Sequence, residues 1–183
     1  MINNQVAPEE LEIVRSFLNT WEIPNDTRKP LEHLNCEEDI NNFISKNFSG
    51  IKFSGKLEDV HRFRKDIRMS IETNNVDNLT KWLTSYPINI SILDVDNIQY
   101  NAIKKHNFFS SILTIITKSI SLSQWKRLKA CPDCKWVFYD NSRNGSKRWC
   151  GMYASEPKGR SCGTIAKVQR HRKKSKATSK ELE

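Results

Sequence analysis

Four of the chain's five cysteines fall inside 32 residues: Cys131 and Cys134 with two residues between them, then Cys150, then Cys162. No other feature limits the fold as tightly. The chain starts Met-Ile-Asn-Asn-Gln and soon reaches Glu9 and Glu10, with no basic start and no apolar run, so a secretory leader is not expected and the setting is read as cytoplasmic. In a reducing compartment, thiols clustered in this way bind metal rather than pair as disulfides. Two thiolates on a Cys-x2-Cys turn reach one Zn²⁺ at ~2.3 Å, and Pro132 and Asp133 are suited to such a turn. Cys150 and Cys162 complete a four-sulfur set with no open position for water, which makes the site structural and not catalytic. The gap from Cys150 to Cys162 is long for a zinc ribbon, and Glu156, Pro157, Lys158 and Gly159 read as an inserted loop; His171 is the alternative fourth ligand. Cys36 stands apart and reads as an ordinary semi-buried thiol.

Charge divides the chain at the same place. From Trp125 onward there are 16 Lys and Arg against 5 Asp and Glu, a net +11, while residues 1–124 carry a net −2. A basic back half calls for an anionic partner, nucleic acid ahead of a membrane surface. No stretch approaches the ~20 apolar residues of a membrane span. His33, His61, His106 and His171 are isolated, and nothing resembles a nucleophile elbow or a phosphate-binding loop, so no enzyme is expected.

The 183 residues are enough for one core and a small appended module. Residues 8–21 read as a helix with Leu11, Val14 and Leu18 on one face, and Leu31–Phe48 as two short helical pieces. Leu57, Val60, Phe63, Ile67 and Ile71 step by three and four residues, the pattern of a long amphipathic helix over 56–73. A shorter helix follows over Asp77–Ser85. The period then changes to two: Ile88, Ile90 and Ile92, with Ile98 and Tyr100 after a turn, predict a hairpin. Phe108–Ser121 is apolar around most of its circumference and reads as the central buried helix. Trp136–Tyr139 reads as a strand leaving the cysteine turn. The expected fold is α+β: a mostly helical half with a β-hairpin over 1–124, and a small four-cysteine zinc finger with a basic tail over 125–183.

The run Arg127-Leu128-Lys129-Ala130-Cys131-Pro132-Asp133-Cys134-Lys135-Trp136-Val137-Phe138-Tyr139-Asp140, continuing through Asn141-Ser142-Arg143-Asn144-Gly145-Ser146-Lys147-Arg148-Trp149-Cys150, resembles the CGNR zinc finger, found at the end of bacterial proteins whose front part is called the ABATE domain. Phe17-Leu18-Asn19-Thr20-Trp21 and the pair Phe63-Arg64, Ile67-Arg68 are similar to motifs of that front part. The chain departs from the family where Cys162-Gly163-Thr164-Ile165 stands for Cys-Gly-Asn-Arg, and in the longer loop before Cys162. The resemblance implies a stress-responsive transcription regulator whose finger binds DNA and whose front half senses a small ligand.

Arg143, Asn144, Lys147 and Arg148, on a loop that zinc is expected to hold, are the candidate DNA contacts, with Lys167, Arg170, Arg172, Lys173 and Lys174 on a final helix for which Thr164 is the expected N-cap. Trp136, Phe138, Tyr139 and Trp149 read as the finger's core rather than as base-stacking platforms. Asn19, Thr20, Trp21, Arg64 and Arg68 are candidate lining for a pocket taking a small anion; the alternatives are a surface ion pair of the arginines with acidic neighbours such as Asp66 or Glu72, or a helix end tied to the Asn19-Thr20 turn. The expected partners are DNA and an unidentified small molecule, with a homodimer allowed and no membrane. The competing readings are an RNA-binding or ribosome-associated zinc protein, and a ligand-binding or protein-interaction module.

Overall fold

Apolar residues spaced three and four apart place the helices. The computed structural model describes residues 5–151 and 161–180, the side chains of 173–180 excepted. Helix α1 (Leu11–Leu18) buries Leu11, Val14, Phe17 and Leu18. It is shorter than the expected 8–21: Pro8–Glu10 form a turn before it, and Trp21 opens strand β1 (Trp21–Glu22), which pairs antiparallel with β2 (Leu31–Glu32). Leu31 is therefore extended, not helical, and that placement brings the Glu32 carboxylate to Arg64. Helix α2 (Glu37–Asn47) follows, opened by Cys36, whose N–H donates to Asp39 Oδ2 at 3.2 Å; Cys36 is exposed rather than semi-buried.

Helix α3 (Leu57–Thr73) buries Val60, Phe63 and Ile67 as its period requires, and also Arg64, Arg68 and Ser70. It ends on Asn74 at φ 57°, the left-handed conformation that Asn accepts more readily than most residues. Helix α4 (Asp77–Ser85) leads to strands β3 (Ile88–Asp94) and β4 (Asn97–Ala102), an antiparallel hairpin. Helix α5 (Phe108–Ser121) is the central helix, capped by the Asn107 side chain, with eight of its residues buried.

A 3-10 turn over Trp125–Arg127 then runs into β5 (Leu128–Ala130), paired antiparallel with β6 (Val137–Tyr139), and the chain ends in α6 (Cys162–Lys180). Alternation along β6 joins the two halves. Val137 and Tyr139 belong to the apolar cluster built by α1, α3 and α5, whereas Phe138, on the opposite face, belongs to a small cluster with Cys131, Cys134 and Cys162. Phe17, Phe63, Phe108 and Phe109 form an aromatic knot in the larger cluster, with Phe17 and Phe108 edge to face at 5.2 Å. No helix among the described residues is long and apolar enough to cross a membrane.

Candidate metal centre and basic loop

The four sulfurs of Cys131, Cys134, Cys150 and Cys162 lie within 4.8 Å of one another. Sγ of Cys134 is 3.4 Å from that of Cys150, and Cys150 is 3.8 Å from Cys162. A tetrahedron with bonds of ~2.3 Å has edges of ~3.8 Å, so the set fits a single Zn²⁺ closely. The turn that presents Cys131 and Cys134 is closed by Lys135 N–H to Cys131 O and Cys131 N–H to Trp136 O, both 2.9 Å, with Lys135 in the left-handed region at φ 62°. Cys162 stands at the first residue of α6, where the helix dipole favours negative charge. This placement accounts for the long spacing from Cys150: the fourth ligand comes from a helix start, not from a second tight turn. The four cysteines supply the whole set, so His171 is not needed as a ligand.

Sulfurs packed this closely oppose one another's ionisation. Hydrogen bonds from Cys134 and Cys150 hold the Cys131 thiol far below its ordinary range. The Cys134 and Cys150 thiols are pushed up, first by their bonding to Cys131, and Cys162 is pushed up by burial. A bound divalent cation lets all four ionise. The centre therefore holds one structural Zn²⁺.

The loop after β6 has its own scaffold. Asp140 is fully buried and accepts hydrogen bonds from Lys129 Nζ at 2.7 Å, Ser142 N–H at 3.0 Å, Ser142 Oγ at 2.5 Å and Lys147 N–H at 2.8 Å. Burial alone would push its carboxyl up, but these donors outweigh burial and hold it well below the usual carboxylate range. Lys129 Nζ also donates to the carbonyls of Gly145 and Lys147, and Arg127 Nη1 donates to those of Asp140 and Ser142 at 2.9 and 2.7 Å. Gly145, at φ 58°, supplies the turn between them. Besides its anchor at Cys150, this loop is held by a buried carboxylate and two basic side chains, from β5 and the turn before it. Arg143, Asn144, Lys147 and Arg148 are all exposed on its outer side, Arg148 lying over the Trp149 ring at 5.4 Å.

On α6 the side chains of Lys167, Arg170 and Arg172 are exposed, and those of Lys173 and Lys174 lie outside the described residues. Thr164 is not the N-cap, since the helix already begins at Cys162. Three of the four aromatic residues form the finger's core, Phe138 buried among the sulfurs with Trp136 and Trp149 packed beside it, whereas Tyr139 is buried in the larger helical cluster.

The residues expected to line a ligand pocket are engaged internally. Asn19 grips β6 through both amide atoms, accepting from Val137 N–H and donating to Val137 O, each at 2.8 Å. Arg64 is paired with Glu32 through both nitrogens of its fork and donates to Thr20 Oγ1 at 2.7 Å. Arg68 donates to Leu18 O at 2.7 Å and to Lys135 O, with its guanidinium 4.8 Å from the Trp21 ring centre. Burial lowers the Arg68 pKa to about 10, which leaves it charged at neutral pH. Arg64 and Arg68 tie α3 to the Asn19-Thr20 turn, and with Asn19 they tie the front half to the cysteine turn. Arg28, donating to Asp133 O at 2.8 Å, and Gln5, donating to Cys150 O, add two more ties to the same region.

Asp140, Lys129 and Arg127 are the residues that sequence reasoning missed. Arg127 ends the 3-10 turn and Lys129 lies on β5, while Asp140 is one of few acids in a basic region; that isolated acid was the available signal. Residues 127–175 match the family model of the CGNR zinc finger. Among curated proteins none matches the chain at a significant level.

Proposed function

We propose that the CGNR zinc finger of residues 127–175 binds DNA, chiefly through the phosphate backbone, and that the chain acts as a transcription regulator. The observation that carries this reading is the basic loop. Its carbonyls and its one carboxylate are bonded inward by Arg127 and Lys129, while Arg143, Asn144, Lys147 and Arg148 are exposed on the outer side. Side chains on a rigid loop lose less conformational entropy on meeting phosphates than those of a flexible tail. We extend the proposal to residues 1–124 as the ABATE-like half of a bacterial stress-responsive regulator, on the strength of the Asn19-Thr20 and Arg64, Arg68 motifs. A signal molecule would act there by loosening the ties from α1 and α3 to the cysteine turn. The site formed by Asn19, Thr20, Trp21, Arg64 and Arg68 is not offered as its pocket, because those polar groups already have partners.

Titration of duplex DNA and of RNA at two salt concentrations tests the reading. Replacing Arg143, Lys147 and Arg148 together by Ala is expected to weaken binding on every duplex. It is also expected to flatten the log–log salt dependence by about 2–3, near 0.9 for each phosphate no longer neutralised. Deleting residues 171–183 is expected to do less. Unchanged binding by the triple variant removes the loop from the interface, and tight binding confined to RNA replaces DNA as the partner.

A further inference from the structure

The hairpin of β3 and β4 has one wholly apolar face. Its register pairs Ile88 with Ala102, Ile90 with Tyr100 and Ile92 with Ile98, and directly opposed residues point to the same side. The other face pairs Asn89 with Asn101 and Ser91 with Gln99, so the ribbon is amphipathic. At the base of the apolar face, Ile88 packs against the large apolar cluster. Towards the tip, Ile90 is 56% exposed, Ile92 76% and Ile98 52%; Leu93 at the register shift and Val95 in the turn are also exposed, as is Ile103 at the base. An isolated two-stranded ribbon is marginal in water, and one patterned to bury a face is built to have that face covered.

We propose that the cover is a second copy of this chain, the apolar faces of two hairpins packing against each other across a twofold axis. Three observations select that occupant. None of the six face positions carries a charge, so nothing on the face specifies a charged partner, whereas an apolar patch is complementary to itself. The exposed isoleucines of the face lie next to one another, Ile92 directly opposite Ile98 and Ile90 one pair further along, so the patch is continuous and can be met by its own copy. Charge also runs along the ribbon, with Asp94 and Asp96 at the tip and Lys104 and Lys105 at the base. A twofold axis across the strands lays the acidic tip of one copy over the basic base of the other. The proposal is independent of the nucleic-acid reading, and the hairpin lies apart from the basic loop in sequence and in its contacts.

Sedimentation of the zinc-loaded chain, with dilution, tests this directly. The expected result is a species of twice the chain mass that dissociates on dilution. Ile92→Lys with Ile98→Lys, at the exposed end of the face, is expected to give a monomer with unchanged zinc content and far-ultraviolet circular dichroism. Gln99→Lys, on the polar face, is expected to leave the dimer intact. A wild-type chain that stays monomeric up to its solubility limit overturns the proposal. So does a dimer that survives the double variant, or one that Gln99→Lys breaks as effectively. Should the monomer instead co-sediment with phosphatidylcholine vesicles, the face belongs to a membrane surface and the proposal fails.

Discussion

Two carboxylates, Asp140 buried and Glu32 half-buried, show how single residues set this structure. Asp140 has no exposed surface, and it satisfies two backbone N–H groups, one hydroxyl and one ammonium. Removing one member of a buried ion pair strands the other, a loss of about 3–5 kcal/mol. Asp140→Ala is therefore expected to lower unfolding stability by that order and to raise hydrogen exchange at the Ser142 and Lys147 amides; a urea melt of zinc-saturated protein reads the first, and unchanged midpoints would show that the loop does not depend on Asp140. Glu32 gives a pH test. Burial raises its pKa, but the hydrogen bonds from Arg64 and the Leu34 N–H, with the nearby Arg64 charge, together outweigh burial and leave it below the ordinary value. A carboxylate with a depressed folded pKa contributes stability that is full above its unfolded value, ~4.3, and is lost as pH falls below it. The stability gap between wild type and Glu32→Gln is expected to shrink as pH is lowered from 7 towards 4. A gap that stays constant would mean the pair contributes nothing through its charge.

Strand β6 is the element on which the two halves meet. Its alternation gives Val137 and Tyr139 to the helical core and Phe138 to the sulfur cluster, while Asn19 closes both polar groups of Val137. A buried amide or carbonyl left without its partner costs about 1–3 kcal/mol. Asn19→Ala strands one of each and is expected to destabilise the chain by about 2–5 kcal/mol. The Val137 amide should then lose hydrogen-exchange protection ahead of the amides of α5. Equal protection in wild type and variant would mean that the strand holds without the latch. The helices were legible from sequence because the three-and-four spacing in α3, α4 and α5 reflects burial on one side. The ends of α1 and the start of β2 were not, because they depend on partners more than ten residues away, Val137 for Asn19 and Arg64 for Glu32.

At the scale of the molecule, the metal centre and the helical core share a wall. Leu128, Val137 and Tyr139 belong to the large cluster, and Arg68, Arg28, Asn19 and Gln5 bond the backbone around the sulfurs. Loss of zinc removes binding energy that is also folding energy. Chelation, or Cys134→Ser, is expected to lower the unfolding temperature of the whole chain and to loosen α1 and α3, not the finger alone. Calorimetry with hydrogen exchange checks this: if the front half keeps its full protection after chelation, the two halves are independent.

The cysteine spacing by itself pointed to a metal held by Cys131, Cys134, Cys150 and either Cys162 or His171, because four thiols clustered within 32 residues suit one tetrahedral ion, and the fold brought Cys162 to the other three. Periodicity by itself determined the long helices and the hairpin, and composition placed the positive charge in the back half. Tertiary structure decided what the polar residues do. Arg64 and Arg68 are compatible in sequence with an anion clamp, yet folding brings them to Glu32, Thr20 and two backbone carbonyls. Asp140 and Lys129 carry no distinguishing spacing, yet they shape the basic loop. The physical reason is that an apolar side chain needs only to be buried, which its own segment's pattern records. A buried polar group needs a specific partner at hydrogen-bond distance, and that partner comes from elsewhere in the chain.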